Sequence, residues 1–151
     1  MKLIITFFAI LTFNAAFAQD SLSKAWFLNI DSAKVEAQKS NKPIMIVFSG
    51  SDWCKPCMKL KSEILESETF LNFAKDSLVL VAADFPRLKT NKQNEAQVKH
   101  NEKLASKFNN DGSFPKVAII NADEKILGTL GYKAISPREY INLINSIINK
   151  K

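Results

Sequence analysis

Cys54 and Cys57 are the only two cysteines in the 151 residues, and two residues separate them in the run Trp53-Cys54-Lys55-Pro56-Cys57. A pair at this spacing can close and reopen a disulfide. The attacking species is a thiolate, so whatever stabilises negative charge on sulfur sets its reactivity. The flanks supply a setting for that chemistry. Pro43-Ile44-Met45-Ile46-Val47-Phe48 reads as a buried strand and Met58 to Phe73 as a helix, so the dithiol falls at a strand-to-helix junction. The competing reading is a structural staple. Closing so short a loop removes little chain entropy, so the spacing favours a redox-active pair.

The N-terminus points to an oxidising compartment. Met1-Lys2 is a basic start, Leu3 to Phe13 is almost wholly apolar, and Ala16-Phe17-Ala18 fits an A-x-A cleavage site. Residues 1–18 are therefore expected to be a signal peptide and residues 19–151 the mature chain, in the periplasm or secreted. A membrane anchor is the rival, but the apolar stretch falls short of the ~20 residues a span needs. The remainder suits a single domain with one core, about residues 26–149. The formal charge of +6 is spread over scattered lysines, many beside glutamates on helix faces. That pattern suits a solvated basic surface with a mild preference for acidic partners, and no groove-reading motif accompanies it to suggest nucleic acid.

Along the chain, Trp26 to Ile30 reads as a short edge strand or docking segment, and a helix starts at Asp31-Ser32 and runs to Ser40. Glu66-Ser67-Glu68 marks a break in the helix after the dithiol. Leu78 to Ala83 is a second continuous apolar run, hence a second buried strand. A lysine-rich loop follows, then a helix over Asn94 to Phe108 with Val98, Leu104, Ala105 and Phe108 as its buried stripe. Strand Lys116 to Ile120, the turn Asn121 to Glu124 and a return strand Lys125 to Leu130 form a hairpin. Pro137 opens a closing helix whose apolar face is Ile141, Leu143, Ile144, Ile147 and Ile148. Alternation of strands and helices implies α/β architecture with a parallel central pair, an antiparallel edge and helices on both faces.

With these elements in place, the chain resembles the exported, periplasmic thioredoxin-like proteins, and is similar to the C-terminal thioredoxin domain of the thiol:disulfide interchange reductase. The matching residues are Lys42-Pro43, Gly50-Ser51-Asp52-Trp53-Cys54-Lys55-Pro56-Cys57, Asp84-Phe85-Pro86 and Phe114-Pro115, and the likeness spans about Trp26 to Ile148. It implies a thioredoxin fold with a central mixed β-sheet, and a protein thiol:disulfide oxidoreductase that needs no bound cofactor and no metal. Cys54, at the helix N-terminus beside Lys55, is expected to be the nucleophile, and Cys57, one turn deeper, the resolving thiol. Pro56 fits the first helical turn and fixes the spacing of the sulfurs. Trp53 shapes the partner-binding surface, Asp52 acts as a local cap, and Pro115 matches the fold's cis-proline, with the backbone of Phe114 pairing to a bound peptide.

Two departures bear on that expectation. Phe114 is bulkier than the small or branched residue usual before this proline, and Lys116 stands where threonine is common. The strand before the dithiol offers Val47 and Phe48 where thioredoxins carry a buried aspartate. Glu63 and Asp84 are the only plausible nearby substitutes, with proton transfer through water as the alternative. His100, the lone histidine, is expected on a solvated helix face. Related dithiols span roughly −270 to −120 mV. The Lys55-Pro56 pair leans towards a reductase of cysteine-bearing partner proteins, fed by a membrane electron donor. The alternatives are a redox-inert binding or chaperone-like module, and a thiol reductase dedicated to cytochrome c maturation.

Overall fold

The computed structural model describes residues 26–150; the leader, its cleavage site and the polar stretch Gln19–Lys24 lie outside the described residues. Five strands, β1 (Trp26–Phe27), β2 (Ile44–Ser49), β3 (Val79–Asp84), β4 (Lys116–Ile120) and β5 (Ile126–Leu130), form one mixed sheet in the order β1-β3-β2-β4-β5. The pairs β1/β3 and β3/β2 are parallel, while β2/β4 and β4/β5 are antiparallel. The continuous apolar runs of β2 and β3 follow from burial on both faces. On β2, Ile44, Ile46 and Phe48 enter the layer with helix α1 (Ile30–Ser40) and helix α4 (Glu95–Phe108). The alternate residues Met45 and Val47 face the opposite layer, built with α3 (Glu68–Ser77) and α5 (Pro137–Ile148). This is the thioredoxin fold, with helices against both faces.

Local chemistry sets the helix boundaries. Asn29, rather than Asp31 or Ser32, caps α1, its Oδ1 accepting the N–H groups of both those residues. Asn94 caps α4 as its position before the periodic run implies, and Ser136 and Glu139 form a capping box ahead of α5 with Pro137 in its first turn. The helix after the dithiol is three segments. Helix α2 (Lys55–Lys59) runs into a π-helical turn (Leu60–Leu65), where the N–H of Glu66 reaches back to the carbonyl of Lys61, and Ser67 then caps α3. The break expected at Glu66-Ser67-Glu68 is therefore real, but a π turn prepares it.

Three expectations change. Val98 is 38% exposed, because α4 turns that residue outward while Leu104 and Phe108 reach the core. In α5 the expected Ile144 and Ile147 are buried, and Tyr140 is buried with them, its hydroxyl donating to the carbonyl of Gly131 and its phenol raised by burial. Leu143, Ile141 and Ile148 pack only partly buried beside it. The return strand begins at Ile126, after a turn in which Glu124 holds a φ of 64°. Among the described residues no helix is long and apolar enough to cross a membrane.

Candidate functional site

The dithiol sits where the most enclosed strand ends. β2 is hydrogen-bonded on both sides and gives way at Ser49 to the turn Gly50–Trp53, in which Gly50's carbonyl accepts the N–H groups of Trp53 and Cys54. Cys54 is the N-cap of α2, and its Sγ accepts the N–H of Cys57 at 3.3 Å. The two sulfurs are joined in a disulfide, with the Cα atoms 5.2 Å apart. Pro56 occupies the first turn, where no N–H is required, and Lys55 and Pro56 are both exposed. The cysteines do not differ in exposure, at 5% and 4%. They differ in their surroundings, since the Cys54 sulfur accepts an N–H while Cys57 lines a cleft.

Two carboxylates build the frame around the turn. Asp84, at the end of β3, accepts the hydroxyl of Ser49 at 3.0 Å, the N–H of Ser51 at 2.8 Å and the hydroxyl of Ser51 at 2.6 Å. Asp52 is not a local cap. It accepts the N–H groups of Arg87 and Leu88, both at 2.9 Å, and the amide of Asn91 at 3.0 Å, so it clamps the loop after β3 to the dithiol turn. These donors, the Arg87 N–H first, hold its carboxyl below the ordinary range. Sequence gave no signal for this clamp, since the partners lie 35 residues or more apart.

Trp53 lies across the same loop. Its indole N–H donates to the carbonyl of Phe85 at 2.7 Å, the Arg87 guanidinium stands 3.8 Å over its ring, and Phe114 meets it edge-on with centroids 5.4 Å apart. Phe114 meets Phe85 in the same manner. The peptide bond Phe114–Pro115 is cis, Pro115 is buried, and β4 starts at the next residue. The bulk of Phe114 is thus absorbed by an aromatic trio with Trp53 and Phe85, a contact that its position in the sequence did not indicate. Lys116 pairs with Asp111 at 2.7 Å.

Behind the dithiol runs a cleft of about 770 Å³, lined by Val47, Cys57, Leu60, Asp84 and Pro115 among others. Of the candidate proton acceptors Glu63 and Asp84, only Asp84 borders it. Glu63 accepts the hydroxyl of Tyr132, which raises that phenol. His100 is not a freely solvated residue. It is half-buried, and its Nε2 accepts the N–H of Ile30 at 3.2 Å, completing the N-terminus of α1 from a residue 70 positions away. Among the described residues no group of three or more His, Cys, Asp or Glu side chains could hold a metal ion.

The Thioredoxin-like family model matches residues 25–122, and the chain belongs to that family. It is similar to the Disulfide bond reductase DsbH of Chlamydia pneumoniae, at 34% identity over 112 residues that cover 74% of this chain and 66% of that protein. It is also similar to the Thioredoxin-related protein DsbJ of the same organism, at 32% identity over 120 residues, covering 80% of this chain and 34% of the relative. The chain therefore spans just under two thirds of the first relative and about one third of the second. A solved structure described as a DsbH oxidoreductase matches with a TM-score of 0.76 at 31% identity, over 83% of this chain and 85% of the other.

Proposed function

We propose that this chain is a protein thiol:disulfide oxidoreductase that works as a reductase outside the cytoplasm. The observation that carries the reading is the placement of Cys54. It caps α2, takes an N–H bond on its sulfur from Cys57, and is already bonded to the Cys57 sulfur. A hydrogen-bond donor and helix N-terminal dipoles directed at one sulfur lower the cost of its anion, which is what an attacking thiol requires. The family, and the name of the reductase relative, support the same conclusion.

In the reduced protein the Cys54 thiolate attacks one sulfur of a partner disulfide. The other partner sulfur leaves as a thiolate and takes a proton, and a mixed disulfide remains. Cys57, losing its proton, then attacks the Cys54 sulfur and releases the second partner thiol. Two electrons pass from the dithiol to the partner, and the chain is left with the Cys54–Cys57 bond seen here. Restoring the dithiol takes two electrons from an external dithiol donor, a membrane one in the compartment proposed. The Cys57 proton leaves through water in the cleft that Cys57 lines, which Asp84 and Glu66 also border. Trp53, Phe114 and Pro115 form the surface on which the partner segment lies, and Lys55 and Pro56 flank the sulfur it meets. Residues 1–18 direct export, and the mature chain begins at Gln19.

The experiment is insulin reduction with dithiothreitol as donor. The wild-type chain accelerates precipitation, Cys54→Ser abolishes it, and Cys57→Ser accumulates a mixed disulfide with its partner. A wild-type chain that reduces no disulfide, with a Cys54→Ser form that still binds partners, would instead identify a redox-inert binding module. Apocytochromes bearing CxxCH among the species trapped by Cys57→Ser would narrow the role to cytochrome c maturation.

A further inference from the structure

The loop from Phe85 to Gln93 contributes little to the core, since Arg87 to Lys92 are all exposed, yet it is fixed at both ends. Asp52 holds its middle through the N–H groups of Arg87 and Leu88 and the side chain of Asn91. Asn101, only 1% exposed, holds its ends, donating to the carbonyl of Asp84 and the side chain of Gln93 while accepting from Gln97. A buried amide with every polar atom partnered, and a carboxylate with three donors, are strong devices for a stretch that is mostly exposed. What they hold in place is a set of side chains beside the dithiol. Arg87 lies on the ring of Trp53, the residue before Cys54, and Leu88 stands 56% exposed next to it.

The charge of this rim is one-sided. Phe85 to Gln93 holds Arg87, Lys89 and Lys92 and no acidic residue, and Lys55 lies exposed between the cysteines. The two nearest carboxylates, Asp52 and Asp84, are occupied by hydrogen bonds within the protein. Four cations therefore face outward against two engaged anions.

We propose that the Phe85–Gln93 loop is the partner-selecting rim of the dithiol, and that Arg87 favours protein segments carrying a carboxylate within a few residues of the cysteine to be reduced. This rests on the reductase reading above and adds the chemistry of the substrate to it. The Trp53 ring orients the guanidinium, so a carboxylate on the bound segment meets a charge whose position is already fixed, at little further cost in side-chain entropy.

The test uses the mature chain and two synthetic peptides with one intramolecular disulfide each, identical except for glutamates or lysines flanking the cysteines. Dithiothreitol supplies the two electrons and two protons of each turnover. The wild-type chain reduces the acidic peptide with a kcat/KM about 10-fold above that of the basic one, the scale of one exposed charge contact made attractive in one peptide and repulsive in the other. Raising the salt to 1 M shrinks the ratio towards one. Arg87→Lys keeps most of the ratio, Arg87→Gln brings it near one, and Arg87→Glu inverts it. Lys89→Glu, which leaves the Trp53 contact untouched, lowers it to a smaller extent and serves if the Arg87 variants do not fold. Equal wild-type rates on the two peptides overturn the selection while leaving the reductase reading intact. A wild-type ratio that Arg87→Gln and Lys89→Glu both leave unchanged overturns the assignment to this loop. Reduction of neither peptide by the wild-type chain overturns the reductase reading and the selection with it.

Discussion

Replacing Gly50 by alanine tests the packing around the dithiol most directly. A Cβ built on Gly50 lies 2.2 Å from Cε2 of Trp53 and 2.5 Å from both Cζ2 and Nε1. Carbon atoms in contact prefer about 3.5–4.0 Å, so the indole must retreat by more than about 1 Å. The ring is not free to move, because the Arg87 guanidinium lies over it, Phe114 meets it edge-on and the Phe85 carbonyl holds its N–H. Overpacking of this kind costs about 1–3 kcal/mol, and the indole hydrogen bond and the cation–π contact are each worth about 1 kcal/mol. The expected destabilisation is about 2–4 kcal/mol. For a domain of this size that lowers the melting temperature by about 8–16 °C. Thermal unfolding followed by circular dichroism measures it, and tryptophan emission in a Trp26→Phe background reports on Trp53 alone. Gly112→Ala is the control. Its φ is +63° with no atom within 4 Å of the new Cβ, so it carries only backbone strain of about 1 kcal/mol and leaves the emission unchanged. A Gly50→Ala protein that melts within about 2 °C of wild type with unaltered emission would refute the packing argument.

Other expectations follow from the same frame. Asn101→Leu leaves the Asp84 carbonyl and the Gln93 and Gln97 side chains without their partner, and should cost about 2–4 kcal/mol in urea unfolding. Tyr140→Phe strands the Gly131 carbonyl while keeping the ring, and should cost about 1 kcal/mol by the same measurement. The Asp52 clamp should loosen in acid. A carboxyl whose folded pKa is depressed adds stability that is fully present above its ordinary value of 3.8 and fades as pH falls through the lower folded value. Asp52→Asn should therefore flatten the wild-type dependence of unfolding free energy on pH below 3.8, and an unchanged slope would contradict the clamp.

Much of the fold was legible because burial on two faces leaves a plain mark. The apolar runs of β2, β3 and β4 fall within a residue or two of their observed bounds, and Asn94, Pro137 and the Asn121–Glu124 turn announce their elements by local chemistry. Features that depend on distant partners were not legible. Tyr140 was passed over on α5 because its hydroxyl masks an apolar ring, and only the fold reveals the Gly131 carbonyl that makes its burial tolerable. His100 looked like a surface residue because its partner, the Ile30 amide, is on another helix. The π turn at Leu60–Leu65 leaves the apolar periodicity almost unchanged and so has no simple signature. At the candidate site, Cys54 and Cys57 stood out through their spacing, strengthened by Trp53 before them, Pro56 between them and Pro115 ahead of the hairpin. The roles of Asp52, Arg87 and Asn101 arise from long-range contacts and could not be read from any local pattern.

The clamp on the loop after β3 also bears on how such a protein could diversify. The stretch is secured by two side chains outside it, Asp52 and Asn101, through the main-chain N–H groups of Arg87 and Leu88 and the side chains of Asn91 and Gln93, leaving Lys89, Thr90 and Lys92 out of the side-chain anchoring. Main-chain anchoring is indifferent to the side chains carried between the anchors. Substitutions there can rewrite the outward surface without touching the sulfur chemistry or the sheet, so this segment is a natural position for grafting a foreign recognition sequence onto an unaltered redox scaffold.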